Sequence, residues 1–507
     1  MPEPFVGSVF QPALGFAEGL IKTISTALSI AQDKGLDIDV AAQDVIFVIS
    51  STKGNIAEFE CIGASAEQVA LHFGNPNRPI VVSNACISGL SAQILAMRLL
   101  REGFYRYAVV AGMDVQGKFI VSGFQSFKAL SPDSCRPFDG DRCGLNLGEA
   151  AACMILEAAK ANANANAPYW VMEDGCVRND AVHISNPSRT GEGSWRAIRQ
   201  IVSSDKPLAC ISAHGTATLY NDEMEAAAID RAGLKEVPTF SLKGYYGHTM
   251  GAAGILETII TLHAAQEGWI PATRGFEEAG TSHEINVTAQ EEPCEGKRVM
   301  KLLSGFGGCN GAAVYVRGEE VAEVSDKPVS GGLTMKYHVS LTPKDAPQGL
   351  TALYKEKVGD YPKFYKMDPL CKLGFLATEL LLNEENPNRK EPEPSEDRAV
   401  VLFCKHGSMA ADRAYEETIC NEEEYFPSPS VFVYTLSNIV TGEIAIRNHY
   451  YGETSCFILE EKDETVMRQV ITSTLQDKGI NSIIAGWVDF DDDQHYEADV
   501  ALYERES

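Results

Sequence analysis

The sequence predicts an α/β fold in two similar halves, followed by a further α/β region. Three observations carry this. Short apolar runs of strand length alternate with helix-like segments from residue 44 to about 318. The order repeats after a polar, low-complexity connection, KANANANAP (160–168). Past residue 320 a polar, glycine-bearing stretch, EEVAEVSDKPVSGG, precedes a third set of strand-like runs.

Residues 1–43 read as a loop and one helix. DVIFVIS (44–50), PIVVSNA (79–85), YAVVAGMD (107–114) and AAACMILE (150–157) read as buried strands, with a helix after the second. In the second half GSWRAIRQIVSS is helix-like, LACISAHG (208–215) a strand, and NDEMEAAAIDRAG a helix capped by Asn221 or Asp222. PTFSLKG is a strand, AAGILETIITLHAAQEG a long helix, and VMKLLSGFGG and AAVYVRG strands. These readings divide the chain into residues 1–320, with halves of about 1–160 and 168–320, a linker at 321–334, and a domain at 335–507. That last region offers MKYHVSLTP, VVLFCKH, CFILE, SIIAGWV and DVALYE as strands.

The 507 residues are 45% hydrophobic and 22% charged, as in ordinary globular proteins, and the net charge is −27. That charge argues against nucleic acid and against anionic membrane surfaces as partners. No apolar run reaches membrane-spanning length. Thirteen cysteines with no C-x-x-C pair indicate neither a disulfide framework nor a cysteine-based zinc site. The N-terminal stretch MPEPFVGSVFQP lacks a signal-peptide pattern, so a reduced, cytoplasmic protein is expected. No glycine cluster forms a nucleotide fingerprint, and Cys404-Lys405-His406 offers too few ligands for a metal, so no cofactor or metal is expected.

Cys86 stands at a strand-to-helix junction, where helix N–H groups favour thiolate and should lower its pKa. Most buried cysteines are inert. Two of the ten histidines, however, lie in glycine-containing junctions after strands: His214 in SAHGTAT and His248 in KGYYGHTMGAAG. Functional loops gather at the carboxyl ends of strands in such sheets, so Cys86, His214 and His248 are expected to meet there.

Six stretches then fall in one order: NACISG; FKALSPDSCRPFDGDRCGLNLGEAAA (127–152); NDAVHISNPSRTGEG (179–193); HGTATLYNDEMEA; KGYYGHTMGAAG; and GFGGCN (305–310). Together they resemble the β-ketoacyl-acyl carrier protein synthases, the elongating condensing enzymes of the thiolase fold, over about residues 20–318. The resemblance implies a thiolase-like fold of two duplicated βαβαβ halves. It implies that Cys86 takes an acyl group from acyl carrier protein, and that His214 and His248 assist decarboxylation of malonyl-carrier protein and stabilise the enolate. It implies that backbone N–H groups of Cys86 and Phe306 form an oxyanion hole, that Lys243 pairs with Glu225, that Phe306 is a gate, and that Glu149 is structural. It further implies fatty-acid or polyene/polyketide-type biosynthesis, and a homodimer or a heterodimer with another synthase-like subunit.

The chain lacks the family's opening strand, and Ala217 and Ala150 stand where the family usually has glycine. FPSPSVFVYTLSNIVTGEIAIRNHYYGETSCFILEE (426–461) resembles the stretch before the nucleophile in an N-terminal synthase half. Counting back from Gly486 as Cys86 counts back from Gly112 lands on Glu460, with Glu461 beside it. The C-terminal region is therefore expected to be a half-synthase without a nucleophile, packed on the first domain. A non-catalytic partner resembling a chain-length factor is the alternative, and Cys86 with both histidines argues against it. Initiating synthases pair cysteine with histidine and asparagine. Thiolases use a second cysteine, for which Cys309 is a loose candidate.

Overall fold

The computed structural model describes residues 7–8, 14–158, 169–318, 332–389, 391–421 and 423–506. The connection read at 160–168 and most of the linker read at 321–334 lie outside these residues. The first helix, Phe16–Asp33, and the strands Val45–Ser50, Ile80–Val82, Tyr107–Asp114 and Ala150–Glu157 fall where the apolar runs put them. The second half contributes Tyr169–Asn179, Cys210–Ser212, Thr239–Phe240, Arg298–Gly305 and Cys309–Gly318. The C-terminal region contributes Leu333–Leu341, Arg398–Cys404, Thr454–Ile458, Ser482–Asp492 and His495–Arg505. One detail is corrected. The helix Leu219–Arg231 begins after Thr218, and Asp222 sits inside its first turn, accepting the N–H groups of Thr216, Ala217 and Phe138.

The second half forms a five-stranded sheet by itself. The first half does not. Its strands join the C-terminal strands in one nine-stranded sheet, through antiparallel pairing of Val82 with Phe457 and of Val81 with Ile458. Outward from this seam the two sides repeat. Ile80–Val82 and Thr454–Ile458 are each followed by two parallel neighbours and one antiparallel neighbour. Leu333–Leu341 then adds a fifth strand on the C-terminal side only. Among the described residues no strand pairs beyond Ala150–Glu157 in that sheet, in keeping with the missing opening strand.

The seam also shares a core. Ile46, Val48, Leu95 and Leu99 pack in one cluster with Val401, Phe403, Phe457 and Val470. Charged groups buried at the boundary are paired across it. Arg98 meets Glu453 at 2.8 Å, Arg178 meets Asp477 at 2.5 Å, and Lys53 meets Asp412 at 2.6 Å. Asn84 Oδ1 accepts the Cys456 N–H, and Ser83 N–H donates to the Cys456 carbonyl.

The helix Ser88–Arg101 lies between the two sheets. Leu90, Ile94 and Met97 pack with Val299, Leu303 and Ala313, while Ala92, Leu95 and Leu99 face Val48 and Val110. It is buried from Ser88 to Leu100. Its backbone crosses the helix Ala253–Gln266 so closely that a Cβ on Gly254 would sit 2.3 Å from the Leu90 nitrogen. Among the described residues, the helix at the corresponding place in the C-terminal domain, Glu464–Thr474, has no second sheet over it. It buries Val466, Met467, Val470 and Ile471 and leaves Glu464, Thr465 and Arg468 exposed. Amphipathic patterning there lets a half-domain present a polar outer face.

Asp477 is held below the usual carboxylate range by Arg178 and Arg98, against its burial. Removing it strands buried guanidinium charge at the seam, which costs about 3–5 kcal/mol. Asp477→Ala is therefore expected to lower the stability of the whole chain by that amount in urea unfolding, with both domains melting together.

Candidate active site

The strand Ile80–Val82 ends in Ser83-Asn84-Ala85-Cys86, and the turn is tight. Ala85 takes a left-handed φ of 47°, an uncommon backbone for a residue with a Cβ. Ser88 secures it, its Oγ accepting the Asn84 N–H at 2.8 Å and donating to the Ala85 carbonyl at 2.6 Å. Cys86 is thereby presented just before the helix Ser88–Arg101, half-buried.

It lines a cavity of about 270 Å³ together with His214, His248, Phe124, Phe127 and Phe306. The Cys86 Sγ and one ring nitrogen from each of His214 and His248 lie within 4.8 Å of one another. The three residues that stood apart in the sequence thus meet at one point. The two rings stand edge to face, 5.2 Å between centroids. His248 Nδ1 accepts the Met250 N–H at 3.2 Å, which leaves Nε2 to carry the proton in the neutral ring, and Nε2 is buried with no hydrogen-bond partner. His214 Nδ1 is likewise buried and unpartnered.

Burial first, then Lys243, pushes both imidazoles well below the ordinary histidine range. Both are neutral donors at neutral pH. Burial pushes the Cys86 thiol up to about 12, and Lys243 opposes this only in part. The expectation of a lowered pKa is overturned. The positive helix end is present, but withdrawal from water outweighs it.

The predicted Lys243–Glu225 pair is also corrected. Lys243 Nζ pairs with Glu257 at 2.7 Å and donates to the His214 carbonyl at 2.7 Å. The other Glu257 oxygen meets Lys301 at 2.5 Å, and all three side chains are buried. Glu225 instead accepts the N–H groups of His214 and Gly215 at 2.6 and 2.8 Å, and burial pushes its carboxyl up to about 7. Both ends of the His214 turn are therefore fixed, its N–H by Glu225 and its carbonyl by Lys243. Sequence reading missed Glu257 and Lys301. Their signal was a single charge in each of two apolar segments, AAGILETII and VMKLLSG.

Phe306 is half-buried, its ring 5.4 Å from Phe127 and 6.5 Å from Phe124. The turn carrying it lies against the nucleophile turn, since a Cβ on Gly305 would stand 3.3 Å from the Cys86 nitrogen. Cys309 is buried under this turn, 3.3 Å from the Phe306 carbonyl, and does not line the cavity. Glu149 accepts the Gln116 N–H, outside the site. Ala217 carries a φ of 62°, which explains why glycine suits that position. His406 is paired with Asp489 at 2.8 Å.

The C-terminal counterpart of Cys86 is Glu461, one of the two residues that the sequence reading offered. Asp114 accepts the N–H groups of Thr52 and Lys53 as Asp489 accepts those of Lys405 and His406, and the sheet register carried from these aspartates makes Phe457 the counterpart of Val82, with Glu461 and Cys86 four residues on from each. Glu461 is exposed and meets Arg78 at 3.1 Å. Counting from Gly486 fell one residue short, because the equivalent aspartates match Gly486 with Ala111 rather than with Gly112.

Residues 48–162 match the N-terminal domain of β-ketoacyl synthases and residues 169–277 the C-terminal domain. The chain is similar to the ketoacyl synthase alpha subunit of the tetracenomycin polyketide synthase from Streptomyces glaucescens, 32% identical over 50% of this chain and 63% of that protein. It is similar to 3-oxoacyl-[acyl-carrier-protein] synthase 2 of Vibrio cholerae, 31% identical over 47% of this chain and 62% of that protein. The chain thus spans less than two thirds of the length of these relatives. Among solved structures, the PfaC keto synthase–chain length factor is similar over 97% of this chain and 69% of that one, with a TM-score of 0.76 and 14% identity, a likeness of fold. Residues 48–162 and 169–277 thus match the two domains of the β-ketoacyl synthase family, and it is over this part of the chain that the family is recognised.

Proposed function

We infer that the protein is a β-ketoacyl-acyl carrier protein synthase whose chemistry is carried by Cys86, His214 and His248. The observation that carries this is the meeting of Cys86 Sγ with two neutral imidazoles in a buried, aromatic-walled cavity. An acyl group passes from a carrier thioester to Cys86 Sγ, releasing the carrier's thiol. Malonyl-carrier protein then loses CO₂, and negative charge builds on its thioester oxygen. A neutral imidazole N–H aimed into a dry site stabilises that oxygen without having to reorganise. The unpartnered His248 Nε2 suits this role, and His214 stands beside it. The carbanion attacks the acyl-Cys86 carbonyl, the Cys86 sulfur leaves, and it regains a proton. The high resting pKa of Cys86 makes an adjacent imidazole the acceptor for its proton in the first step.

Lys243, Glu257 and Lys301 support the histidines from behind, and Glu225 fixes the His214 backbone. Acyl carrier protein is the proposed partner, in fatty-acid or polyene/polyketide-type biosynthesis. The synthase-like partner half that the family resemblance implies is supplied within the chain, because Thr454–Ile458 occupies the free edge of Ile80–Val82. With Glu461 at the place of Cys86, that half has no nucleophile, and the chain-length-factor-like reading applies to the C-terminal domain rather than to the whole chain.

The test is incubation with acyl- and malonyl-carrier protein and mass spectrometry of the products. The parent protein yields 3-oxoacyl-carrier protein, and Cys86→Ala yields none. His248→Ala is expected to keep acylation of Cys86 while decarboxylation falls about 100- to 1000-fold, the scale of one lost oxyanion donor. Equal loss of both steps would assign His248 to activation of the thiol instead.

The depressed imidazole pKa values also fix a pH dependence. Both rings stay neutral as pH falls through about 6.5, the ordinary histidine value. Decarboxylation by pre-acylated protein should therefore show no limb centred near pH 6.5. A fall in rate with that midpoint would contradict the neutral-donor arrangement.

A further inference from the structure

The glycine turn between the strands Arg298–Gly305 and Cys309–Gly318 is free to move in its own backbone, since Gly307 and Gly308 have φ of 88° and 73°. Its position over Cys86 is set by hydrogen bonds from two sides. On the first-domain side the Gly307 N–H donates to the Ile184 carbonyl at 2.6 Å, and the Gly307 carbonyl accepts from Asn179 Nδ2 at 2.8 Å. On the other side stands Asn438 of the C-terminal domain, just before the helix Ile439–Asn448. Asn438 is 2% exposed, and its Nδ2 donates to the Phe306 carbonyl at 2.8 Å. The helix comes as near as backbones allow. A Cβ on Gly442 would stand 2.7 Å from the Gly307 oxygen, and a Cβ on Gly307 would stand 2.6 Å from Asn438 Nδ2.

Packing alone does not explain an amide at this place. Asn438 Oδ1 is buried without a partner, and a buried polar atom left unpaired costs free energy that an apolar side chain would not. What the amide does supply is an Nδ2 that donates to the carbonyl of the residue whose ring walls the Cys86 cavity and also reaches Cys309 Sγ, beneath the same turn, at 3.6 Å. We propose that Asn438 is a positioning residue that holds the Phe306 turn closed over Cys86, so that the C-terminal domain sets how open the nucleophile's cavity is. The first domain then has its reacting groups but lacks one of the fastenings of its gate. The consequence for acyl entry rests on the reading of Cys86 as the acylated residue. The positioning itself does not, and it can be tested without any carrier protein.

The experiment uses the full-length protein and iodoacetamide, with alkylation of each cysteine followed by peptide mass spectrometry under native conditions. Asn438→Ala removes the donor, and Asn438→Asp keeps the shape and replaces the donor with an acceptor. Both should alkylate Cys86 about three- to tenfold faster than the parent, the scale set by one lost hydrogen bond. Cys143, exposed and at the same cavity, serves as the internal reference and should not change. Rates for Cys86 within twofold of the parent overturn the proposal. So does a parallel rise at Cys143, which would report general loosening. If the aspartate variant fails to fold, the alanine variant decides alone. Faster labelling of Cys86 in a protein that makes no 3-oxoacyl product would sustain the positioning role and overturn the synthase reading.

Discussion

A strand edge such as Ile80–Val82 leaves a row of backbone N–H and C=O groups open, and an open edge pairs with whatever strand reaches it. Here Thr454–Ile458 of the same chain takes that edge in antiparallel register. Much of the structure depends on this pairing. It merges four strands of the first domain with five of the C-terminal domain. It fixes the Asn84 side chain through Cys456, two residues before the nucleophile. It brings Glu453 and Asp477 onto Arg98 and Arg178, charges that would otherwise be buried unpaired. It also delivers the helix Ile439–Asn448 to the glycine turn.

The second constraint is electrostatic. Two lysines and one glutamate are buried behind the histidines, and the surplus positive charge weighs against protonating either ring. Even this buried frame perturbs its own members. Lys301 is pushed down to about 8, chiefly by burial, while Glu257 is held below the usual range by the lysines. Neutral imidazoles that keep their N–H are what a developing enolate oxygen requires, so the charge frame and the proposed chemistry agree. The cost appears at Cys86, whose thiol is raised rather than lowered. Exposure at a helix start and enclosure in a dry cavity pull that pKa in opposite directions, and enclosure is the stronger here.

Local signals were legible in the sequence. Apolar runs marked the strands, and glycine-bearing junctions marked Cys86, His214, His248 and the Phe306 turn, because tight turns demand small residues there. Pairings set by tertiary structure were not legible. Lys243 pairs with Glu257 while Glu225 accepts two backbone N–H groups, an arrangement that no spacing rule reports. Counting between glycines came within one residue of Glu461, because the register is fixed by the hydrogen bonds of Asp114 and Asp489, which sequence counting cannot see. The merging of the two domains into one sheet was expected only as packing. Short strands carry no mark of which neighbour they will choose, and Ile80–Val82 has three residues.

The account stands on the seam between Ile80–Val82 and Thr454–Ile458. Hydrogen–deuterium exchange of the intact protein tests it most directly, read in peptides covering residues 79–84 and 454–459. If the two strands are one ladder, their amides exchange together, with strong and equal protection that is lost only on global unfolding. Early exchange of residues 454–459 along with the rest of the C-terminal domain, while the first domain stays protected, would show an independent domain. It would contradict the account.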